Sequence, residues 1–314
     1  MSSPPVPCLL CRNPNTVVIR HGIREDKATP VYRCGKCRLR FIEPAYADAR
    51  AYYQSQYRQT HGPINGHQTT PADRYLSYRP HVAPQVAFLK ERVPLGGMVL
   101  EIGCSSGYFL DAIKGDYAAF GNEWNPDDAA YVRDTLGLPC EDGDIDEVYP
   151  GKSFTAICAF HVLEHQPDPL QWLLKVKKRL IGGGWLYLEL PHGNEALVSV
   201  YDIPEFRDWY YRDAHITYWE METVANLMAV CGFDVEVTLR QRYGLLNHLN
   251  WIQNRKPMAT YEDGTKPMSL VTQRHPAAGV FNRWFSRIDR EYRLQLETLK
   301  AADTIKAIGR RQEI

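Results

Sequence analysis

Residues 99–111 read VLEIGCSSGYFLD, an apolar run that meets an acid and then breaks into a bend of small residues. Glu101, Gly103, Ser105 and Gly107 occupy that bend, and Tyr108 opens what the pattern predicts to be an amphipathic helix. A strand, a small-residue loop and a helix in that order form a corner where the backbone can approach a nucleotide-like ligand. The dinucleotide fingerprint G-x-G-x-x-G is not met, because the spacing here is acid-x-Gly-x-small-x-Gly.

A second constellation lies near the N-terminus. Cys8, Cys11, Cys34 and Cys37 form two C-x-x-C pairs, and two such knuckles can close a tetrahedral thiolate cage around zinc. Gly35 suits the tight turn of the second knuckle. Between the pairs, TVVIRH and PVYRC predict two short strands flanking the polar loop GIREDKAT, the pattern of a zinc ribbon. So small a segment buries too little apolar surface to fold alone, so the metal would supply folding free energy. Disulfides or unpaired thiols are the alternatives, and the expected cytoplasmic setting disfavours the former. The other four of the eight cysteines, Cys104, Cys140, Cys158 and Cys231, sit in apolar segments and are expected to be buried free thiols.

These groups need a scaffold. The chain of 314 residues can bury one sizeable core and carry a small appendage. Formal net charge is zero and the pI about 7.1, so neither a polyanion nor an acidic membrane surface is an expected partner. No apolar run is long enough to span a bilayer, and MSSPPVPCLLCRN lacks the features of a signal peptide, so a cytoplasmic protein is expected. The ribbon's basic residues, from Arg12 to Arg40, come with little to stack a base beyond Tyr32 and Phe41, and are expected to form a solvated face. Residues 44–80 predict a helix carrying Tyr46, Tyr53 and Tyr57, then a loop through GPINGHQTTP. This linker is placed to cover a cleft.

From residue 98 strands alternate with helices: MVLEIG, AAFGNEW, LPCEDGD, FTAICAFH, GGWLYLELP, FDVEVTLRQ and, near the end, DTIKAIGRR are the predicted strands. Pro126 and Gly137 bracket one helix, and Asp168 caps another. The expected class is α/β, a Rossmann-like seven-stranded sheet with helices on both faces. The expected division is a ribbon over 1–43, a linker over 44–80 and a main domain over 81–314, with a helical insertion at about 242–302. Ligands on such sheets sit at the carboxyl ends of the strands, near the point where strand order reverses.

The bend at 101–107 resembles motif I of the class I S-adenosylmethionine-dependent methyltransferases, with Ser105 in place of the second glycine. A small hydroxyl residue fits there provided its backbone angle is not positive. Other stretches follow in the family's order over roughly residues 80–241 and the last strand. They include FGNEWNP at 120–126, AFHVLEH at 159–165, LELPH at 188–192 and HITYW at 215–219. The resemblance implies S-adenosylmethionine as cofactor. Glu123 would hold the ribose hydroxyls, Asp144 and Ile145 would meet the adenine, and Trp124, Tyr108, Phe160 and His161 would line the site. The layout also resembles a subgroup with an N-terminal zinc clip that includes sugar C-methyltransferases and glycan or natural-product enzymes. C-methylation of a keto-sugar nucleotide is disfavoured, because Ala214 precedes His215 and little length remains for the usual C-terminal domain.

The expected reaction is O-methylation of a small molecule or glycan, with histidine as the base that takes the hydroxyl proton. His215 is the first choice, with His161 and His192 the others. Tyr243, Asn247, His248, Asn250 and Trp251 could wall a pocket for a polar, uncharged acceptor. Nucleobase chemistry is disfavoured, since neither N-P-P-Y nor a Pro-Cys pair stands at the strand ends. The alternative is an RNA- or protein-directed or non-catalytic module docking through its ribbon. Oligomeric state is not legible.

Overall fold

The computed structural model describes residues 6–44, 46, 48–61, 68–271 and 274–313. Part of the loop expected after residue 61 lies outside the described residues.

Three short strands form the ribbon: β1 (Thr16–His21), β2 (Pro30–Cys34) and β3 (Arg40–Phe41). The main sheet is built from β4 (Met98–Ile102), β5 (Ala118–Asn122), β6 (Cys140–Glu141), β7 (Phe154–Phe160) and β8 (Leu180–Pro191). After β9 (Thr217–Tyr218) come β10 (Phe233–Arg240) and β11 (Thr304–Arg311). The seven-stranded order is β10-β11-β8-β7-β4-β5-β6, with β11 the one strand antiparallel to its neighbours. The chain runs outward from β4 to β6, then returns to β7 on the other side. The reversal therefore falls between β4 and β7, and it opens a crevice at their carboxyl ends.

Both faces of this sheet are covered, which is why its central strands are apolar without alternation. Leu100, Ile157 and Leu188 pack with Trp172, Leu173 and Val176 of the helix Pro169–Lys178. Val99, Cys158 and Tyr187 pack on the opposite face with Phe88 and Leu89 of Ala83–Arg92 and with Phe109 and Leu110 of Tyr108–Ile113. Each fully buried Leu or Phe contributes about 2–3 kcal/mol. Asp168 caps its helix as expected, accepting from Gln171 N at 3.1 Å. The insertion holds the helices Leu245–Asn254 and Ala278–Thr298. Cys104, Cys140, Cys158 and Cys231 are all buried free thiols.

The ribbon is sewn into the main fold. β3 pairs antiparallel with β9, Arg40 opposite Tyr218 and Phe41 opposite Thr217. Cys8, Cys34, Leu39 and Phe41 share one apolar cluster with Trp219 and Trp172. Several of its cations pair with acids of the main fold, with Arg12 and Arg38 still open to water: Arg12 pairs with Asp168 at 2.8 Å, Arg20 with Asp208, and Arg38 and Arg40 with Glu220 at 3.1 and 3.2 Å. Sequence gave no view of this, because the partner acids lie far along the chain. Gly35 also has a different role from the one expected. The left-handed positions that follow the knuckles are Arg12 (φ 56°) and Arg38 (φ 66°). Gly35 permits close approach: its N–H donates to Asn15 O at 2.9 Å, and a Cβ there would lie 3.2 Å from that oxygen. No helix among the described residues is long and apolar enough to cross a membrane.

Candidate active site

A cavity of about 1000 Å³ opens at the carboxyl ends of β4 and β7. Gly103 (φ 68°) and Ser105 (φ 48°) turn the chain across its wall. Ser105 thus keeps the left-handed backbone of the glycine it stands in for, against the expectation of a negative φ. Gly103 is required for space as well, since a Cβ there would lie 2.7 Å from Val162 Cγ2. Gly107 (φ 71°) caps the following helix and does not line the cavity; a Cβ there would lie 2.8 Å from Val132 Cγ2.

Glu123 is buried at the end of β5, and burial pushes its carboxyl up. One of its oxygens accepts from Ser105 N at 2.8 Å and the other from Asn125 N at 2.8 Å. Each oxygen keeps a second lone pair, so the carboxylate can still receive both hydroxyls of a ribose. Trp124, Asp144 and Ile145 line the adjoining wall, with Trp124 Nε1 donating to Gly143 O at 3.2 Å. Tyr108, Phe160 and His161 line the cavity too, whereas Glu101 lies wholly buried beneath the loop and outside the lining. Burial and the nearby Glu123 push the Glu101 carboxyl well up. The residues present therefore fit an adenosyl ligand, by positive-φ backbone at the wall and an acceptor-rich acid beside it.

Three of the linker's residues close over this corner. Tyr53, Tyr57 and Arg58 line the cavity. Arg58 Nη2 donates to Ser105 Oγ at 2.9 Å and pairs with the fully buried Asp128 at 2.6 Å. Asp128 also receives Arg74 at 2.7 Å, so one carboxylate pins two points of the linker.

The histidines separate. His161 ends β7 in the left-handed region (φ 57°), a costly backbone for a non-glycine residue. Its Nδ1 lies 3.3 Å from Glu164 Oε1 and its Nε2 2.5 Å from Arg242 Nη1. His165 and His215 line the cavity with ring centroids 4.9 Å apart. Burial holds His165 down at about 4 and His215 well below the ordinary value. Both rings are therefore neutral at pH 7. His192 does not line the cavity. It is buried, with Nδ1 2.8 Å from Ala302 O, and serves to hold the end of β8 to the approach of β11.

Residues 74–237, just over half of the chain, match the family model described as a methyltransferase domain. The chain belongs to the methyltransferase family. It is a class I S-adenosylmethionine-dependent enzyme, and two solved structures share its fold. One is a complex of the Trm112 activator with a methyltransferase from Haloferax volcanii (TM-score 0.50, 18% identity, 77% of this chain, 96% of that one). The other is a phosphoethanolamine N-methyltransferase from Haemonchus contortus (TM-score 0.51, 12% identity, 87% of this chain, 62% of that one). Curated relatives include a tRNA U34 carboxymethyltransferase from Actinobacillus pleuropneumoniae, 32% identical over 37% of this chain and 36% of that protein. Another, from Tolumonas auensis, is 28% identical over 58% of this chain and 55% of that protein. The methyltransferase thus spans about half or less of the length of these relatives. They contradict the expectations of a small-molecule or glycan acceptor and of no nucleic-acid partner.

Tyr243, Asn247, His248 and Trp251 line the methyltransferase's cavity as expected, Asn250 does not, and charged groups that the sequence reading did not place there join them. Arg24, Arg212, Arg240, Arg242 and Arg293 line its acceptor end, interleaved with Trp209, Trp251 and Tyr261. Arg24 lies 4.3 Å over the Trp209 ring and donates to Trp209 O at 2.8 Å through Nε. Arg242 Nη2 donates to Tyr261 OH at 3.0 Å. These arginines share no motif, because they come from the ribbon, the segment between β8 and β9, β10 and the insertion. Glu164 sits inside the quoted AFHVLEH, where its pairing with His161 at helical spacing is a signal a sequence could offer.

Proposed function

We propose that this methyltransferase transfers a methyl or carboxymethyl group from an S-adenosyl sulfonium to RNA, with tRNA the first candidate. The observation that carries the reading is the cluster of arginine and aromatic side chains at the acceptor end, set among Glu189, Glu195 and Asp303. Arginine suits phosphate and stacks on bases, and tryptophan and tyrosine faces hold unpaired bases. The tRNA enzymes among the relatives support the same class of acceptor. When bound, the sulfonium supplies an activated carbon. The bond to the acceptor atom forms as the S–C bond breaks, and the neutral thioether leaves.

The chain's residues position this event. Glu123, Asp144, Ile145 and Trp124 hold the adenosyl part, and the 103–107 bend passes beside it. His161 reaches the cavity with its Nε2 facing the Arg242 guanidinium. His215 is neutral and faces the cavity, beside the acceptor. Tyr53, Tyr57 and Arg58 of the linker cover the corner and exclude water.

We also read Cys8, Cys11, Cys34 and Cys37 as a structural zinc site. Their sulfurs lie within 4.8 Å of one another, with Cys8–Cys37 at 3.5 Å and Cys11–Cys34 at 3.6 Å. Tetrahedral zinc thiolates need about 3.8 Å between sulfurs. Lys36 N and Cys37 N donate toward Cys34 Sγ at 3.3 and 3.4 Å, which favours a thiolate.

The test is transfer of tritium from methyl-labelled S-adenosylmethionine into deproteinised total RNA, with RNase-treated RNA as control. Label that depends on intact RNA and falls with rising salt supports the reading. Cofactor binding without label in RNA, from either the methyl or the carboxymethyl donor, overturns it.

A further inference from the structure

We propose that Glu164, His165 and His215 bind a divalent first-row metal ion at the acceptor end of the cavity. Their ligand atoms all lie within 4.8 Å of one another. Three features of the cluster stay unexplained without a cation.

First, Glu164 is wholly buried, and the side-chain donor that faces it is the Nδ1–H of His161, at a long 3.3 Å from Oε1. Among the described residues its only ionic neighbours are the two imidazoles, His161 Nδ1 at 3.3 Å and His165 Nε2 at 3.8 Å. The Arg212 charge reaches Glu164, His165 and His215 through space, but no ion-pair contact joins it to Glu164. A buried carboxylate held by one long hydrogen bond is costly, and a metal ion satisfies it.

Second, His165 Nδ1 lies 2.6 Å from both Ala214 O and Tyr53 OH, and the hydroxyl can turn its lone pair to the ring. A carbonyl only accepts, so the ring proton is on Nδ1 and Nε2 carries a lone pair. That lone pair faces Glu164 Oε1 at 3.8 Å. Two electron-rich atoms confront each other with no proton between them. A backbone carbonyl fixing the far nitrogen is also how proteins commonly aim a metal-binding histidine.

Third, Nδ1 of His215 is buried without a partner. Two imidazoles and one carboxylate form a donor set suited to manganese, iron, cobalt or zinc, and poorly to calcium. Because His165 and His215 line the cavity, the remaining coordination positions would face the acceptor. An ion there could hold an acceptor oxygen and lower its proton affinity.

The site differs chemically from the cysteine cage, which prefers soft ions. The test uses the full chain with its cysteines zinc-loaded, treated with EDTA and then titrated with Mn²⁺ by electron paramagnetic resonance. No acceptor is needed, so the result stands apart from the RNA reading. One Mn²⁺ per chain is expected, with Glu164→Gln and His215→Asn each weakening it tenfold or more while zinc content and S-adenosylhomocysteine binding persist. If either variant fails to bind S-adenosylhomocysteine, Co²⁺ uptake by the wild type decides: d–d bands without thiolate charge transfer support the site. Absence of Mn²⁺ uptake by the wild type, or wild-type affinity in both variants, overturns the proposal.

Discussion

Arg242 Nη1 lies 2.5 Å from Nε2 of His161, so that nitrogen is the acceptor and the ring proton stays on Nδ1, toward Glu164. This contact joins the strand end nearest the cofactor corner to the insertion that walls the acceptor. Arg242→Lys keeps the charge and loses the planar fork, so it should lower kcat/KM for RNA about ten- to a hundredfold, the worth of a charge-assisted hydrogen bond. S-adenosylhomocysteine affinity should stay near normal. Steady-state kinetics beside calorimetric titration would check both, and unchanged kinetics would remove Arg242 from acceptor binding.

Glu123 stands at the other end of the cavity. Glu123→Gln leaves one oxygen to serve both Ser105 N and Asn125 N and weakens the grip on a ribose diol. Affinity for S-adenosylhomocysteine should fall about ten- to a hundredfold. Calorimetry reads this directly, and wild-type affinity would show that the adenosyl group binds elsewhere.

Much of this corner was visible before any coordinates. The strand-helix alternation from residue 98 yields the sheet because central parallel strands are apolar on both faces. Glu123 and the 103–107 bend fall at strand ends as a local pattern demands. What a local pattern cannot carry is contact between distant segments. The pairing of Arg40–Phe41 with Thr217–Tyr218 is of that kind, as is the Arg58–Asp128–Arg74 clamp. So is the arginine lining, which sets charged groups among the neutral ones expected there. His192 looked catalytic by position at a strand end, yet a buried bond to Ala302 O occupies it.

The ribbon's role is testable through its metal. One zinc per chain is expected by elemental analysis of the purified protein. Cys34→Ser should lose it and lower the melting temperature markedly, because Cys34 belongs to the main apolar cluster with Trp219. Since β9 leads out of His215, the same variant should also weaken turnover. A zinc-free protein with normal melting would refute the cage.

Glu195 gives a pH signature. Burial, aided by Asp303, lifts its carboxyl to about 8, although Leu197 N–H, donating at 3.0 Å, pulls the other way. Its folded value lies above the unfolded one, so the folded state binds more protons between them. Stability is then full below the ordinary carboxyl value and declines as pH rises towards 8, by up to about 1.4 kcal/mol per pH unit. Glu195→Gln retains the acceptor and abolishes the titration. Melting curves should show the variant gaining on the wild type from pH 5 to pH 8; parallel curves would contradict the shift.

The most direct measurement is mass analysis of nucleosides from tRNA incubated with the enzyme, separately with S-adenosylmethionine and its carboxylated analogue. The account predicts one nucleoside heavier by the transferred group, produced by the wild type and lost in Glu123→Gln. Unmodified nucleosides from both donors, with the cofactor demonstrably bound, would contradict it.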